Sequence, residues 1–193
     1  MSWREYHEST KHTPDSLRRS PHHLDWANMP DPFRHYEGAS VVDLPADPPS
    51  PRTPLMDVLL GASGSAPSPD GATFLSSLLF HSAAISATKR VPSTGYRYAL
   101  RVNPSSGNLH PTEFHFATQG LDQWPDGLYH YCPSAHMAER RATAFRTASF
   151  GPALGANDAP IVFVLTSIAW REAWKYRDRG YRYCLHDIGH AWQ

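Results

Sequence analysis

Two stretches hold residue types that could do chemistry. The run from Trp170 to Gln193, WREAWKYRDRGYRYCLHDIGHAWQ, concentrates tyrosine, arginine, lysine and histidine and contains no proline. On helical spacing, Tyr181, Cys184, Leu185, Ile188 and Ala191 share one side, and Arg182, His186, His190 and Gln193 the other. Lys175 and Tyr176 precede this helix, within reach of a break at Gly180. Such a pattern usually marks an ordinary surface helix. Here the density of donors and titratable groups predicts one wall of a site. The second stretch, Asn103 to Glu113 (NPSSGNLHPTE), predicts a rigid turn with hydroxyl and amide groups facing outward. Those groups can donate to and accept from a planar heterocycle with mixed N–H and C=O edges. His186-Asp187-Ile188-Gly189-His190 also has the i, i+4 spacing of a zinc-hydrolase H-E-x-x-H motif. Against that reading, aspartate is shorter than the usual base, glycine weakens the helix and no third ligand is evident.

The elements that must position these stretches follow from periodicity. Residues 1–70 hold 11 of the 18 prolines, which excludes long helices there. A short helix is expected around Asp15–Arg19, capped by Asp15 or Thr13. The tract from Leu24 to Gly38 carries Trp26, Phe33 and Tyr36, and reads as an extended arm that wraps another surface. Gly61–Gly71 reads as a flexible loop. A helix is predicted from Thr73 to Ile85, with Phe74, Leu75, Leu78, Leu79, Ser82 and Ile85 on its core face. Lys89, Arg90, Arg97 and Arg101 then fall in a loop and a short extended piece, as a solvated face. Phe114–Thr118 and Leu128–Tyr131 alternate as strands. Residues 138–150 suggest a short helix with Ala142, Phe145 and Phe150 facing in. Ile161–Thr166 is a continuous apolar run, the pattern of a central buried strand. It feeds directly into the Trp170–Gln193 run.

Composition bounds the function. The 193 residues carry 18 Lys+Arg and 18 Asp+Glu, so no global field draws the chain to nucleic acid or to a membrane surface. No apolar run is long enough to span a bilayer as a helix, and the first residues lack a signal-peptide core. Cys132 and Cys184 fit no metal or redox spacing, which favours a cytoplasmic location. The chain stops at Gln193 inside an apolar-periodic helix. A fragment, or one half of a duplicated protein, is therefore expected.

Pro104-Ser105-Ser106-Gly107-Asn108-Leu109-His110-Pro111 resembles the P-S-x-x-N-x-x-P signature of flavin nitroreductases. Gly127-Leu128-Tyr129-His130-Tyr131, taken with Ala173 to Arg179, Tyr181-Arg182-Tyr183, Asp187 and Gly189-His190, resembles the azoline dehydrogenase (SagB/ThcOx-type) branch of that superfamily. The resemblance covers about residues 73–193. It implies an α+β nitroreductase-like fold, a central, mostly antiparallel sheet flanked by helices, over residues 71–193, preceded by a proline-rich arm over 1–70. It implies FMN bound at the interface of a homodimer or of two nitroreductase-like halves, with two-electron transfer through flavin N5. By position, Pro104, Ser105, Ser106 and Asn108 would contact the isoalloxazine ring. Lys175 and Tyr176 would be the catalytic pair, lysine as base where burial disfavours its charge and tyrosine as donor or acid. The substrate would be a small molecule or a heterocycle in a modified peptide. Arg182 and His190 would be structural or would support the site from behind its contact residues, and Asp187 would partner a nearby cation. The Arg-Arg-Ser-x-Arg segment that grips the FMN phosphate in many nitroreductases has one echo, Leu17-Arg18-Arg19-Ser20. It is followed by Pro21 and His22 and reads as coincidence. A second reading is a non-catalytic half that kept the fold as a scaffold or partner-binding domain.

Overall fold

Alternation of apolar and polar residues from Thr112 onward produces the strands that frame the structure. The computed structural model describes residues 1–19, 22–50, 52–61, 70–143, 145–150 and 159–192. Most of the loop expected at Gly61–Gly71, and Ser20 and Pro21 of the arginine echo, lie outside the described residues. The chain divides into two units. One comprises Met1–Pro32, Pro104–Thr112 and Ser167–Gln193; the other comprises Phe33–Asn103 and Glu113–Thr166.

The second unit holds the sheet. Its strands are β1 (Val41–Asp43), β4 (Thr112–Thr118), β5 (Gly127–Cys132), β6 (Met137–Ala142) and β7 (Ile161–Ser167), in the order β1-β6-β5-β4-β7. The pairs β1–β6, β5–β6 and β4–β5 are antiparallel. Phe116, Tyr129, Tyr131 and Ala138 are fully buried on these strands. Each fully buried large apolar side chain contributes about 1.5–3 kcal/mol. Phe116 stacks on Tyr129 with ring centroids 5.2 Å apart. The Tyr129 hydroxyl donates to the Pro125 carbonyl at 2.7 Å and accepts from Arg140 Nη2 at 2.9 Å, so its polar end is satisfied inside the core. A separate antiparallel hairpin pairs β2 (Ile85–Arg90) with β3 (Arg97–Arg101).

Helix α4 (Gly71–Ala83) starts where Asp70 caps it, accepting from Thr73 N at 2.8 Å. It buries Leu75, Ser76, Leu79 and Ala83, whereas Phe74 and Leu78 are exposed. The predicted core face is thus rotated, and Ile85 belongs to β2. Three further expectations are corrected. Residues 138–142 form β6, not a helix, because pairing with β1 on one side and β5 on the other overrides the helix propensity of its Ala, Glu and Arg. Among the described residues there, only Thr147–Phe150 makes a helical turn. β7 stands at the end of the strand order among the described residues, and β5 is central. Within β7 only Val162 is buried, so the apolar run marks neither a fully buried nor a central strand. Finally, Lys89, Arg90 and Arg97 are exposed as expected but belong to the β2–β3 hairpin, whereas Arg101 is buried with its guanidinium over the Phe33 ring.

The first unit contains α1 (Trp3–Ser9), α2 (Pro14–Arg19), a 3-10 turn at Trp26–Asn28, α5 (Ala169–Tyr176) and α6 (Gly180–Trp192). The predicted α2 is present, and Thr13 is its cap: its hydroxyl accepts from Ser16 N at 3.0 Å. Helix α1 was not anticipated, although Ser2 and Glu5 form a capping box readable as S-x-x-E. A third short helix, α3 (Leu55–Leu59), belongs to the other unit. The expected break precedes Gly180: a 3-10 turn at Arg177–Arg179 separates α5 from α6. A Cβ on Gly180 would lie 2.9 Å from the Ala173 backbone nitrogen, so glycine permits the two helices to close up.

Candidate functional site

The loop from Pro104 to Thr112 and helices α5 and α6 lie in one unit, and the sequence-predicted site residues meet there. The loop is conformationally costly. Gly107, Asn108 and His110 all have positive φ, at 61°, 61° and 48°. Such backbone persists only where other contacts over-determine it. Asp187, buried on α6, supplies them. Its Oδ2 accepts from Ser105 Oγ at 2.6 Å and its Oδ1 from Ser106 Oγ at 2.7 Å. Ser106 N donates to both carboxylate oxygens at 3.0 Å. Ser105 Oγ in turn accepts from His110 N at 2.8 Å, and Asn108 Oδ1 stands 3.0 Å from His110 Nε2.

Two expectations change. The serine hydroxyls face Asp187, not outward. Asp187 serves the loop with both its oxygens where a cation partner was expected. The buried stripe of α6 is Gly180, Cys184 and Asp187, while Tyr181 and Leu185 are exposed. Helical periodicity assigned the apolar side inward, but the hydrogen-bond demand of the loop draws in the carboxylate.

Lys175 and Tyr176 end α5 against this loop. A Cβ on Gly107 would lie 2.6 Å from Tyr176 Oη and 2.8 Å from Lys175 Nζ. Both groups therefore close on the one loop residue without a side chain. Gly107→Ala is expected to cost about 1–2 kcal/mol from the left-handed backbone alone. It should also displace the ends of Lys175 and Tyr176; urea unfolding compared with wild type reads the stability loss. Tyr176 is pushed up to about 12, mainly by burial and then by Glu172. It therefore stays a phenol and a donor at neutral pH. Its ring packs on Tyr183, centroids 4.1 Å apart. Lys175 is half-buried rather than buried.

Glu172 was missed by sequence reasoning. It is fully buried on α5, and its pKa is raised to about 8, by burial first and then by the neighbouring Asp187 carboxylate. In its protonated form it can share its proton with Asp187. The folded protein therefore binds more protons than the unfolded chain between about pH 4.5 and 8. Stability is fully favoured below the unfolded value and falls as pH rises through this window, by up to about 1.4 kcal/mol per pH unit for this group. Urea unfolding at pH 5, 6.5 and 8 should show the decline, and Glu172→Gln should flatten it. No sequence signal marks the position, because α5 buries the charged neighbours Arg171 and Glu172 together.

The unit's remaining charged groups brace it. Arg171 Nη1 donates to the His110 carbonyl at 2.6 Å and its Nε to the Asp31 carbonyl at 2.9 Å. Trp174 Nε1 donates to the Asp25 carbonyl at 2.7 Å, and its ring meets Trp26 edge-on. Arg182 binds Thr10 Oγ1 at 2.8 Å and the His7 carbonyl at 3.1 Å, a structural role as expected. A cavity of about 350 Å³ lies beside Lys175 and Tyr176, lined also by Lys11, His12, Arg177 and Arg179. His186 and His190 are exposed, and the one three-ligand cluster among the described residues does not include them.

The five-stranded sheet flanked by helices is the nitroreductase-like α+β fold. The chain resembles a proposed nitroreductase of Anabaena variabilis, with TM-score 0.74 and 29% identity over 97% of this chain and 36% of that one. It also resembles a proposed nitroreductase of Ralstonia eutropha, with TM-score 0.54 and 20% identity over 78% of this chain and 67% of that one. A chain of the E. coli microcin synthetase McbBCD complex with truncated pro-MccB17 bound gives TM-score 0.50 and 22% identity over 98% and 74%. The implied resemblance to nitroreductase-type proteins thus holds at the level of structure. The present chain spans 36% of the length of the Anabaena protein. No protein-family model and no curated protein matches it.

Proposed function

We propose that this chain supplies part of an FMN-dependent oxidoreductase site, with residues 71–193 as one nitroreductase-like half and residues 1–70 as its arm. The observation that carries this reading is the convergence of Lys175 Nζ and Tyr176 Oη on Gly107, within the loop that resembles the flavin signature. The donor set fits a flavin edge. Lys175 and Tyr176 present an ammonium and a phenol, Gly107 is exposed, and the loop holds a fixed left-handed backbone. Pro104, Ser105, Ser106 and Asn108 would form the ring-facing loop, chiefly through its backbone, since the two serine hydroxyls are turned to Asp187. FMN, when bound, supplies two-electron transfer at N5. The chain's own residues hold and move protons: Tyr176 donates at Oη, and Lys175 exchanges a proton at Nζ. The cationic cavity beside them suits an anionic group of the cofactor or substrate. The substrate class is a small molecule or a heterocycle in a modified peptide, by similarity to the azoline dehydrogenase branch. A homodimer or a second nitroreductase-like half completes the site.

The test is FMN titration followed by flavin fluorescence, with an absorbance spectrum after gel filtration. The expected result is quenching and a yellow protein. Failure of both this chain and the protein encoded in full to retain FMN overturns the reading. That outcome favours the second reading, a non-catalytic scaffold half, which rests on the internal engagement of Ser105 and Ser106 by Asp187.

A further inference from the structure

We propose that His35, Cys132 and Glu139 form a binding site for a divalent metal ion of the zinc type, in the sheet-bearing unit and independent of the flavin reading. Cys132 ends β5, and Glu139 lies opposite His130 on the paired strand β6. His35 comes from the segment preceding β1. The three ligand atoms lie within 4.8 Å of one another. His35 Nδ1 is 3.3 Å from Cys132 Sγ and 3.2 Å from Glu139 Oε1. A tetrahedral zinc ion with ordinary bond lengths would require about 3.6 Å and about 3.4 Å between those pairs of ligand atoms. Small adjustments open the site to the ion.

The same distances argue against a nucleophilic cysteine relay. In a relay, the imidazole uses one nitrogen for the thiol and the other for the carboxylate. Here thiol and carboxylate both approach Nδ1, so three ligand atoms converge on one point. The surrounding contacts are those of a supported metal ligand. Glu139 Oε2 accepts from Tyr36 N at 3.2 Å and stands 3.0 Å from His130 Nδ1. His130 Nε2 is 2.7 Å from Glu113 Oε2. These contacts anchor one oxygen of Glu139 and leave Oε1 aimed at His35. Cys132 and Glu139 are buried, while the His35 side chain is 48% exposed, so an ion enters from the His35 side and keeps a position for water. One sulfur, one imidazole and one carboxylate select zinc or cobalt over magnesium or calcium. On binding, the Cys132 S–H bond breaks, its proton goes to solvent and a sulfur–metal bond forms; no electrons change hands.

Titration of the whole protein with Co(II) tests this. The expected result is one cobalt per chain, a thiolate-to-cobalt charge-transfer band in the near ultraviolet, tetrahedral visible bands, and displacement by Zn(II). Cys132→Ser should abolish the charge-transfer band. His35→Ala removes a direct ligand and should weaken binding by more than the roughly 10–100-fold seen when an outer-shell partner of a metal ligand is lost. Zn(II) should raise the Tm of the wild type and not of His35→Ala. A His186→Ala/His190→Ala variant should bind as wild type. Absence of the thiolate band in wild type, or its persistence in Cys132→Ser, overturns the proposal.

Discussion

Asp187→Ala is expected to lower the stability of the protein by about 3 kcal/mol or more. The substitution removes the acceptor for Ser105 Oγ, Ser106 Oγ and Ser106 N at one stroke. Asp187 is only 2% exposed, so water does not readily replace it. Each buried donor left unsatisfied costs about 1–3 kcal/mol. The substitution also takes away the carboxylate charge that helps to raise the Glu172 pKa. Asp187→Asn separates the two effects. It keeps one acceptor oxygen and removes the charge, so it should cost less than half as much as alanine and lower the Glu172 pKa. Urea unfolding of both variants near pH 6 checks the ranking. Equal stabilities for alanine and asparagine would mean that the loop is held by something other than this carboxylate.

Lys175→Ala is expected to reduce flavin-linked turnover by about 10²–10⁴-fold, the range for losing a positioned proton-transfer group. This follows from the proposed function. Tyr176→Phe should lose less, about 10²-fold, since it removes the donor and keeps the ring packed on Tyr183. FMN affinity should change far less than turnover in both, because the loop backbone is untouched. Stopped-flow reduction or reoxidation of the bound flavin distinguishes the chemical step from binding. Unchanged turnover in Lys175→Ala, with FMN still bound, would remove the lysine from the chemistry.

The sequence alone determined a good deal. Strand alternation at Phe114–Thr118 and Leu128–Tyr131, the proline density before residue 70 and the break before Gly180 depend on local spacing, and each is present in the structure. The loop signature and the Lys175-Tyr176 pair were legible too, because short contiguous motifs keep their order in the chain. The tertiary structure decided what depends on partners distant in sequence. β6 is a strand only because β1 and β5 flank it, and β7 takes its place at the end of the order although its composition suits a centre. Asp187 turns inward because the loop 81 and 82 residues earlier presents donors that only a buried acceptor can satisfy. His35, Cys132 and Glu139 converge across 97 and 104 residues, a spacing that no linear motif encodes. Periodicity reports which face is apolar. It carries no information about which polar group another segment will require, and in this protein that requirement brings Asp187 to the loop.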